Sequence, residues 1–274
     1  MNPQKVYISI TSIAQQQRML YDTLKSIKSQ SVLPDKCYVY LSQEPYLLDT
    51  GFNDNNITDS HLLELINQNT DLFSIVWVEN TGPYRKLLNL LHDKWDEDCV
   101  IITIDDDTVY HQDFIKDMIG DYKAAGCCIG NRCWYLPVGR SHEMSYQHTT
   151  PKKDVDIFNF HTGKGGVLYH PSYFRKTKDL IFEKSIYIDF CATTDDIWFN
   201  LLRMANEVSC AVGSRQFPPV RGKRNGSYMT RDLCVGPGGK FALYRNYNMR
   251  NNRNTVNIRK TVNKLIELGY LNNA

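Results

Sequence analysis

The chain has 274 residues, of which 42% are hydrophobic and 23% are charged, and its formal net charge is +2. This near-neutral balance argues against bulk binding to nucleic acid, and the length allows one large α/β domain or two small ones. Because no apolar run is long enough to cross a bilayer and the N-terminus lacks a signal-peptide pattern, we expect a cytoplasmic protein, with peripheral contact to a membrane surface left open.

Strand-like and helix-like segments alternate through the first half of the chain. In order, the pattern predicts a strand at 5–11, a helix at 18–29, a strand at 36–41, a helix at 60–68, a strand at 73–78, a helix at 84–92 and a strand at 99–104. Such alternation indicates βαβ units and a mostly parallel sheet flanked by helices, the arrangement of an α/β fold. In these sheets the ligand lies beyond the carboxyl ends of the strands.

The second half has a different pattern. A helix at 112–125 is followed by strand-like segments at 127–135, 155–160 and 165–170, which predict a smaller mixed or antiparallel extension. Two more helices follow, one at 197–205 that Asp195 and Asp196 open, and a final amphipathic helix that Asn254 caps and Gly269 ends. The eight cysteines form no Cys-x-x-Cys pair, which predicts buried, reduced thiols.

Three consecutive acidic residues, Asp105, Asp106 and Asp107, stand directly behind the fourth predicted strand. Neighbouring carboxylates repel one another, so the cluster is favourable where a divalent cation or a ring of donors neutralises it. The triplet is therefore the predicted chemical centre. The alternative is a solvated acidic turn in which Asp107 caps the next helix.

Five segments in order carry a family resemblance. They are the strand end at Ser9, Thr11 and Ser12, the segment Gly-Pro-x-x-Lys-Leu at 82–87, the acidic triplet, the glycines Gly163, Gly165 and Gly166, and the segment Thr-Asp-Asp-Ile-Trp at 194–198. The series resembles the nucleotide-sugar glycosyltransferases of the GT-A fold, particularly family 2. The resemblance covers about residues 5 to 205.

The resemblance implies one Rossmann-like GT-A catalytic domain over 1–274, with a mostly parallel central sheet and a smaller acceptor-side extension. About 1–110 would form the nucleotide-binding half, about 111–230 the acceptor half, and about 231–274 a basic C-terminal segment and helix. Mn²⁺ or Mg²⁺ would be the cofactor, with Asp107 and Asp105 as its ligands. The residues implied in donor binding are Thr11, Ser12, Arg85, Lys86, Asp105, Asp106, Gly165, Gly166 and Arg221.

An inverting transferase also needs a carboxylate base opposite the leaving group. The resemblance places this base at Asp195 or Asp196, and we favour Asp196. Plainer readings stay open. The acidic pair also suits the start of any helix, the glycines suit a hairpin turn, and Arg85 and Arg221 suit a solvated surface.

The resemblance implies metal-dependent transfer of a sugar from a nucleotide-diphosphate sugar, with a uridine diphosphate (UDP) sugar favoured. The acceptor would be a hydroxyl of a glycan, a lipid-linked sugar or a protein. Two alternatives remain. One is a haloacid-dehalogenase-type phosphatase with Asp105 as nucleophile, although that nucleophile usually ends the first strand of its domain. The other is an inactive sugar-binding protein of the same fold.

Overall fold

The computed structural model describes residues 4–138, 150–151, 154–215, 231–233, 240–248 and 252–272. Its strands are β1 Lys5–Thr11, β2 Lys36–Leu41, β3 Phe73–Trp77, β4 Cys99–Asp105, β5 Thr108–Val109, β6 Cys128–Gly130, β7 Cys133–Tyr135, β8 Asn159–His161, β9 Val167–Tyr169, β10 Cys210–Val212 and β11 Arg231–Asp232. Its α-helices are α1 Gln17–Lys28, α2 Ser60–Asn67, α3 Leu88–Asp93, α4 Phe114–Ala125, α5 Lys178–Ile181, α6 Lys184–Cys191, α7 Asp195–Ala205 and α8 Arg253–Glu267. Shorter 3₁₀ helices occupy Ala14–Gln16, Asn53–Asn55, Gly82–Lys86 and Pro171–Thr177, and a π-helical turn occupies Tyr244–Asn248.

Seven strands form the central sheet in the order β10-β6-β9-β4-β1-β2-β3. All neighbouring pairs are parallel except the two that β9 makes with β4 and β6. Strands from both halves of the chain thus share one sheet. The predicted α/β class with a mostly parallel sheet is confirmed. Two small antiparallel pairs, β5 with β11 and β7 with β8, supply the predicted extension.

Helices cover both faces of the sheet. On one face α1 places Leu20, Leu24 and Ile27 at helical spacing against the buried side chains of the sheet. On the opposite face α7 buries Trp198, whose indole N–H donates to the carbonyl of Ile181 at 3.2 Å. Burial on two sides explains why β4 is an almost uninterrupted apolar run.

The prediction of one strand over 127–135 is wrong. The chain leaves the main sheet after β6 and starts β7 in a small sheet with β8. Asn131 holds the turn between them, because its backbone N–H donates to Gly166 and its side-chain amide donates to Gly165. The strand predicted at 155–160 is likewise displaced, to β8.

The last helix also begins differently from the prediction. α8 starts at Arg253 and its N-cap residue is Asn252, so Asn254 lies inside the first turn, where it is buried. The seven cysteines within the described ranges are all buried free thiols, as predicted. None of the helices in those ranges is both long and apolar enough to cross a membrane.

Candidate active site

A cleft of about 410 Å³ opens at the carboxyl ends of β1 and β4. Here the strand order reverses direction, since β2 lies on one side of β1 and β4 lies on the other. Such a reversal creates a crevice in which α/β proteins bind ligands. The cleft gathers most of the site residues predicted from the sequence: Thr11, Ser12, Arg85, Lys86, Asp105, Asp106, Asp107, Asp195 and Asp196.

The register of the sheet brings the first two segments together. Thr11, the last residue of β1, lies directly beside Asp105, the last residue of β4. The Thr11 hydroxyl donates to the carbonyl of Tyr40 at 2.8 Å, and the Ser9 hydroxyl donates to the carbonyl of Lys86. Side chains of β1 thus bond to β2 and to the 3₁₀ helix Gly82–Lys86 near the edge of the cleft.

The three carboxylates of the triplet point to different partners. Asp105 accepts from the Lys86 ammonium at 2.8 Å, and Asp107 accepts from the Lys164 ammonium at 2.5 Å. Asp106 accepts from the Ser12 hydroxyl. Their repulsion is thus relieved within the protein by two lysines and a hydroxyl.

The pKa values of Asp105 and Asp106 shift in opposite directions. Burial alone would raise the pKa of Asp105, but the nearby ammonium groups of Lys86 and Lys164 lower it below its ordinary value. Burial raises the pKa of Asp106 to about 7, and the Asp107 charge adds to this rise.

Lys86 links the triplet to the acidic pair on α7. Its ammonium lies 2.8 Å from Asp105 and 3.9 Å from Asp195. Burial alone would lower the pKa of Lys86, but the charges of Asp105, Asp195 and Asp196 outweigh burial and raise it. This lysine therefore stays charged between the two acidic groups.

Asp195 and Asp196 open α7, yet neither side chain is the helix cap, because Thr194 occupies the N-cap position. An Asp196 carboxylate oxygen accepts from the backbone N–H of Gly163 at 2.8 Å. Burial raises the pKa of Asp195 to about 7 and also raises the pKa of Asp196, in both cases against the opposing charge of Lys86. A carboxylate with a raised pKa in a cleft can accept a proton near neutral pH.

Arg85 lines the cleft, but its guanidinium makes its contacts inside the protein. Its guanidinium is only 1% exposed and forms an ion pair with Asp49, itself 2% exposed, at 3.2 Å. It also donates to the Ser42 hydroxyl at 2.7 Å and to the Ser12 carbonyl at 3.4 Å. These contacts tie the loops after β1 and β2 together, which makes Arg85 a positioning residue.

The glycine segment enters the cleft at Gly163 and Lys164. Within the cleft wall that the structure describes, neither Gly165 nor Gly166 takes part. They have φ of +88° and +96°, and a Cβ on Gly166 would lie 2.6 Å from the Phe114 ring. These two glycines therefore shape the turn and its packing. Arg221 lies outside the described residues.

Sequence reasoning missed two residues that complete the site, Lys164 and Asp49. Lys164 stands inside the glycine segment, and its charge among three glycines was the available signal. Asp49 lies in the polar loop after β2, where nothing distinguishes it from its acidic and amide neighbours. Its pairing with Arg85 depends on a contact that only the folded chain makes.

The donor atoms at the triplet suit a hard divalent cation. Mg²⁺ is usually held by one or two carboxylates together with substrate phosphates, rather than by an all-protein cage. Across the described part of the chain, no group of three or more His, Cys, Asp or Glu side chains is arranged to hold a metal. The side chains of Asp105 and Asp107 are 22% and 16% exposed in the cleft, so they fit the role of the one or two carboxylate ligands.

No family model matches the chain, and no curated protein does. Among solved structures, TarS 1–349 from S. aureus in complex with UDP is 12% identical, with a TM-score of 0.49, and the match covers 78% of this chain and 59% of that chain. The complex of the same protein with UDP-GlcNAc is 11% identical, with a TM-score of 0.45, and the match covers 96% of this chain and 73% of that chain. The 4-diphosphocytidyl-2C-methyl-D-erythritol synthase from Anaerococcus prevotii DSM 20548 is 10% identical, with a TM-score of 0.48, and the match covers 83% of this chain and 93% of that chain. The chain thus spans about three fifths of the TarS chain crystallised with UDP.

Proposed function

We propose that this protein is a glycosyltransferase that moves a sugar from a nucleotide-diphosphate sugar, favouring a UDP-sugar, to an acceptor hydroxyl. One observation carries the proposal. The acidic triplet at the end of β4 and the acidic pair at the start of α7 face one cleft, and Lys86 lies between them. This arrangement provides separate groups for the two charges that develop during sugar transfer.

The first charge develops on the acceptor. Its hydroxyl must lose a proton as it attacks the anomeric carbon, and Asp196 is the proposed base. The hydrogen bond from Gly163 holds one Asp196 oxygen in place, and Asn200 binds the Asp196 backbone carbonyl at 2.7 Å. Attack from the side opposite the leaving group would invert the anomeric centre.

The second charge develops on the departing nucleotide. Asp107 and Asp105 would hold Mn²⁺ or Mg²⁺, which when bound neutralises charge on the diphosphate. Asp105 and Ser12 lie at the end of the parallel strands, where they would meet the ribose. Lys86 keeps the carboxylates on both sides of the cleft at fixed separation.

The acceptor would approach from a second cavity of about 640 Å³ between α6 and α8. This cavity shares the lining residues Leu47 and Thr193 with the cleft, so the two spaces are adjacent. Its amide and aromatic lining, Asn246, Asn257 and Tyr247, suits a glycan, whether free, lipid-linked or on a protein.

Calorimetry against a panel of nucleotide sugars, with and without Mn²⁺, tests the proposal. We expect one UDP-sugar to bind, with Asp107→Asn abolishing the metal-dependent part of donor binding. Asp196→Asn should bind the donor normally but lose transfer. If both variants transfer sugar at the parent rate, the residue assignments are wrong, and donor binding without any transfer would favour a sugar-binding protein.

The phosphatase alternative gains no support from the structure. Asp105 ends the fourth strand of the chain, and its carboxylate is paired with Lys86. The nucleophile of this class of phosphatase usually ends the first strand of its domain instead.

A further inference from the structure

Two lysines, Lys86 and Lys164, neutralise carboxylates of the cleft, and their surroundings differ. Lys86 lies between carboxylates from two elements, Asp105 on β4 and Asp195 on α7, and its side chain is 10% exposed. Lys164 lies on the turn before β9 and contacts Asp107, and its side chain is 14% exposed. Lys86 is thus enclosed by acidic groups from two elements, whereas Lys164 contacts the last carboxylate of the triplet.

The long side chain of Lys164 can move its ammonium while the turn that carries it stays fixed. Lys164 stands between Gly163 and Gly165, and Gly165 and Gly166 both adopt a positive φ. A lysine also has a long flexible stem with three rotatable donors on a compact charge. The ammonium can therefore change partners while the backbone of the turn stays anchored through the Gly163 contact to Asp196.

A diphosphate that enters this cleft brings negative charge beside a carboxylate that already has a cation. The negative charges of the diphosphate and of the carboxylate repel each other. Binding is therefore disfavoured unless the cation is shared with the diphosphate or released to it. Among the described residues, Lys164 is a cation in contact with Asp107, and both line the cleft wall. Phosphate oxygens are strong acceptors for an ammonium group.

We infer that Lys164 is an exchangeable cation. In the nucleotide-free protein it neutralises Asp107, and on donor binding it transfers its ammonium to the diphosphate, which leaves Asp107 for a divalent cation. This inference rests on the proposed function, because it requires a nucleoside diphosphate in the cleft. It assigns Lys164 to the phosphates of the donor, whereas Lys86 remains with the carboxylates.

The test is a calorimetric comparison of UDP and uridine binding in metal-free buffer. Lys164→Gln should weaken UDP binding about tenfold, the loss of one charge-assisted hydrogen bond, and leave uridine binding unchanged. Lys164→Arg should retain most of the UDP affinity. Lys176→Gln is the matched control, because it also removes a lysine from an ion pair, with Glu207, at the exposed surface.

The same exchange predicts the opposite change in UDP affinity when Asp107 is substituted. Asp107→Asn should tighten metal-free UDP binding severalfold, because it removes a like charge and releases Lys164. In the Lys164→Gln background the same substitution should have a smaller effect, since no ammonium is left to release. Thermal unfolding of each variant verifies that it is folded.

The outcomes separate the two proposals. If the parent protein binds no UDP, with or without Mn²⁺, the proposed function fails and this inference fails with it. If the parent binds UDP but Lys164→Gln binds it equally well, the inference alone is overturned. Equal losses of UDP and uridine affinity, or weaker metal-free UDP binding in Asp107→Asn, would also overturn it.

Discussion

Replacing Asp49 with Asn should strongly destabilise the protein, although the two side chains have the same size. One Asp49 oxygen accepts from the backbone N–H groups of Ala14 and Gly51 at 3.1 and 3.0 Å. The other accepts from Arg85 at 3.2 Å and from Asn80 at 3.0 Å. An Asn amide must therefore turn its NH₂ group toward two donors in either orientation.

The magnitude follows from burial. The side chains of Asp49 and Arg85 are 2% and 1% exposed, so Asp49→Asn leaves a buried guanidinium without its counter-charge. Removing one partner of a buried pair typically costs about 3–5 kcal/mol of unfolding free energy. Burial already lowers the pKa of Arg85 despite the Asp49 charge, which shows that the site strongly disfavours an uncompensated cation.

Urea unfolding followed by tryptophan fluorescence measures the effect. The control is Glu207→Gln, which removes an ion pair with Lys176 whose side chains are 78% and 58% exposed, and its unfolding midpoint should be nearly unchanged. A loss of less than about 1 kcal/mol for Asp49→Asn would refute the reasoning, because it would mean that water or another acceptor satisfies Arg85.

Two further predictions concern Gly163 and His161. A Cβ on Gly163 would lie 2.6 Å from the Lys86 ammonium and 3.3 Å from Asp196, so Gly163→Ala should lower sugar transfer about tenfold or more with little change in stability. Gly120→Ala is the control, since a Cβ on that helical glycine has no described atom within 4 Å, and parent-like transfer by Gly163→Ala would contradict the prediction. Burial lowers the pKa of His161 from 6.5 to about 3, so His161 contributes stability that is complete above pH 6.5 and is lost as the pH falls toward 3. The free energy of unfolding should fall less over this range in His161→Gln than in the parent, and the difference should reach about 4–5 kcal/mol over the whole window. Parallel curves would show that His161 does not titrate as described.

The first half of the fold could be predicted closely, except that the single helix predicted at 84–92 is a 3₁₀ helix at Gly82–Lys86 followed by α3 at Leu88–Asp93. β1 and β2 are continuous β-rich runs with polar or Pro-containing ends, and their observed bounds coincide with the predicted 5–11 and 36–41. The break between β6 and β7 has a turn signal in the pair Gly130-Asn131, but the apolar runs on either side are so short that together they resemble one strand. What turns the chain there is the contact between Asn131 and the distant glycine turn.

The residues of the candidate site likewise divide into those that could be predicted and those that could not. The triplet stands at a strand end, where strand order predicts a ligand site, and the family resemblance places the acidic pair with it. Lys164 and Asp49 act through partners that lie 57 and 36 residues away in the chain. No local pattern specifies such pairs, so the predicted site included Lys86 but not Lys164 or Asp49.

The reversed direction of β9 has a consequence for how this cleft can vary. Because β9 runs antiparallel to β4, the segment that precedes it, rather than the one that follows it, reaches the carboxyl edge of β4. A short turn thereby delivers Gly163 and Lys164 to that edge with no crossover helix. Substitutions in those few residues can retune the charge of the cleft while every strand keeps its neighbours.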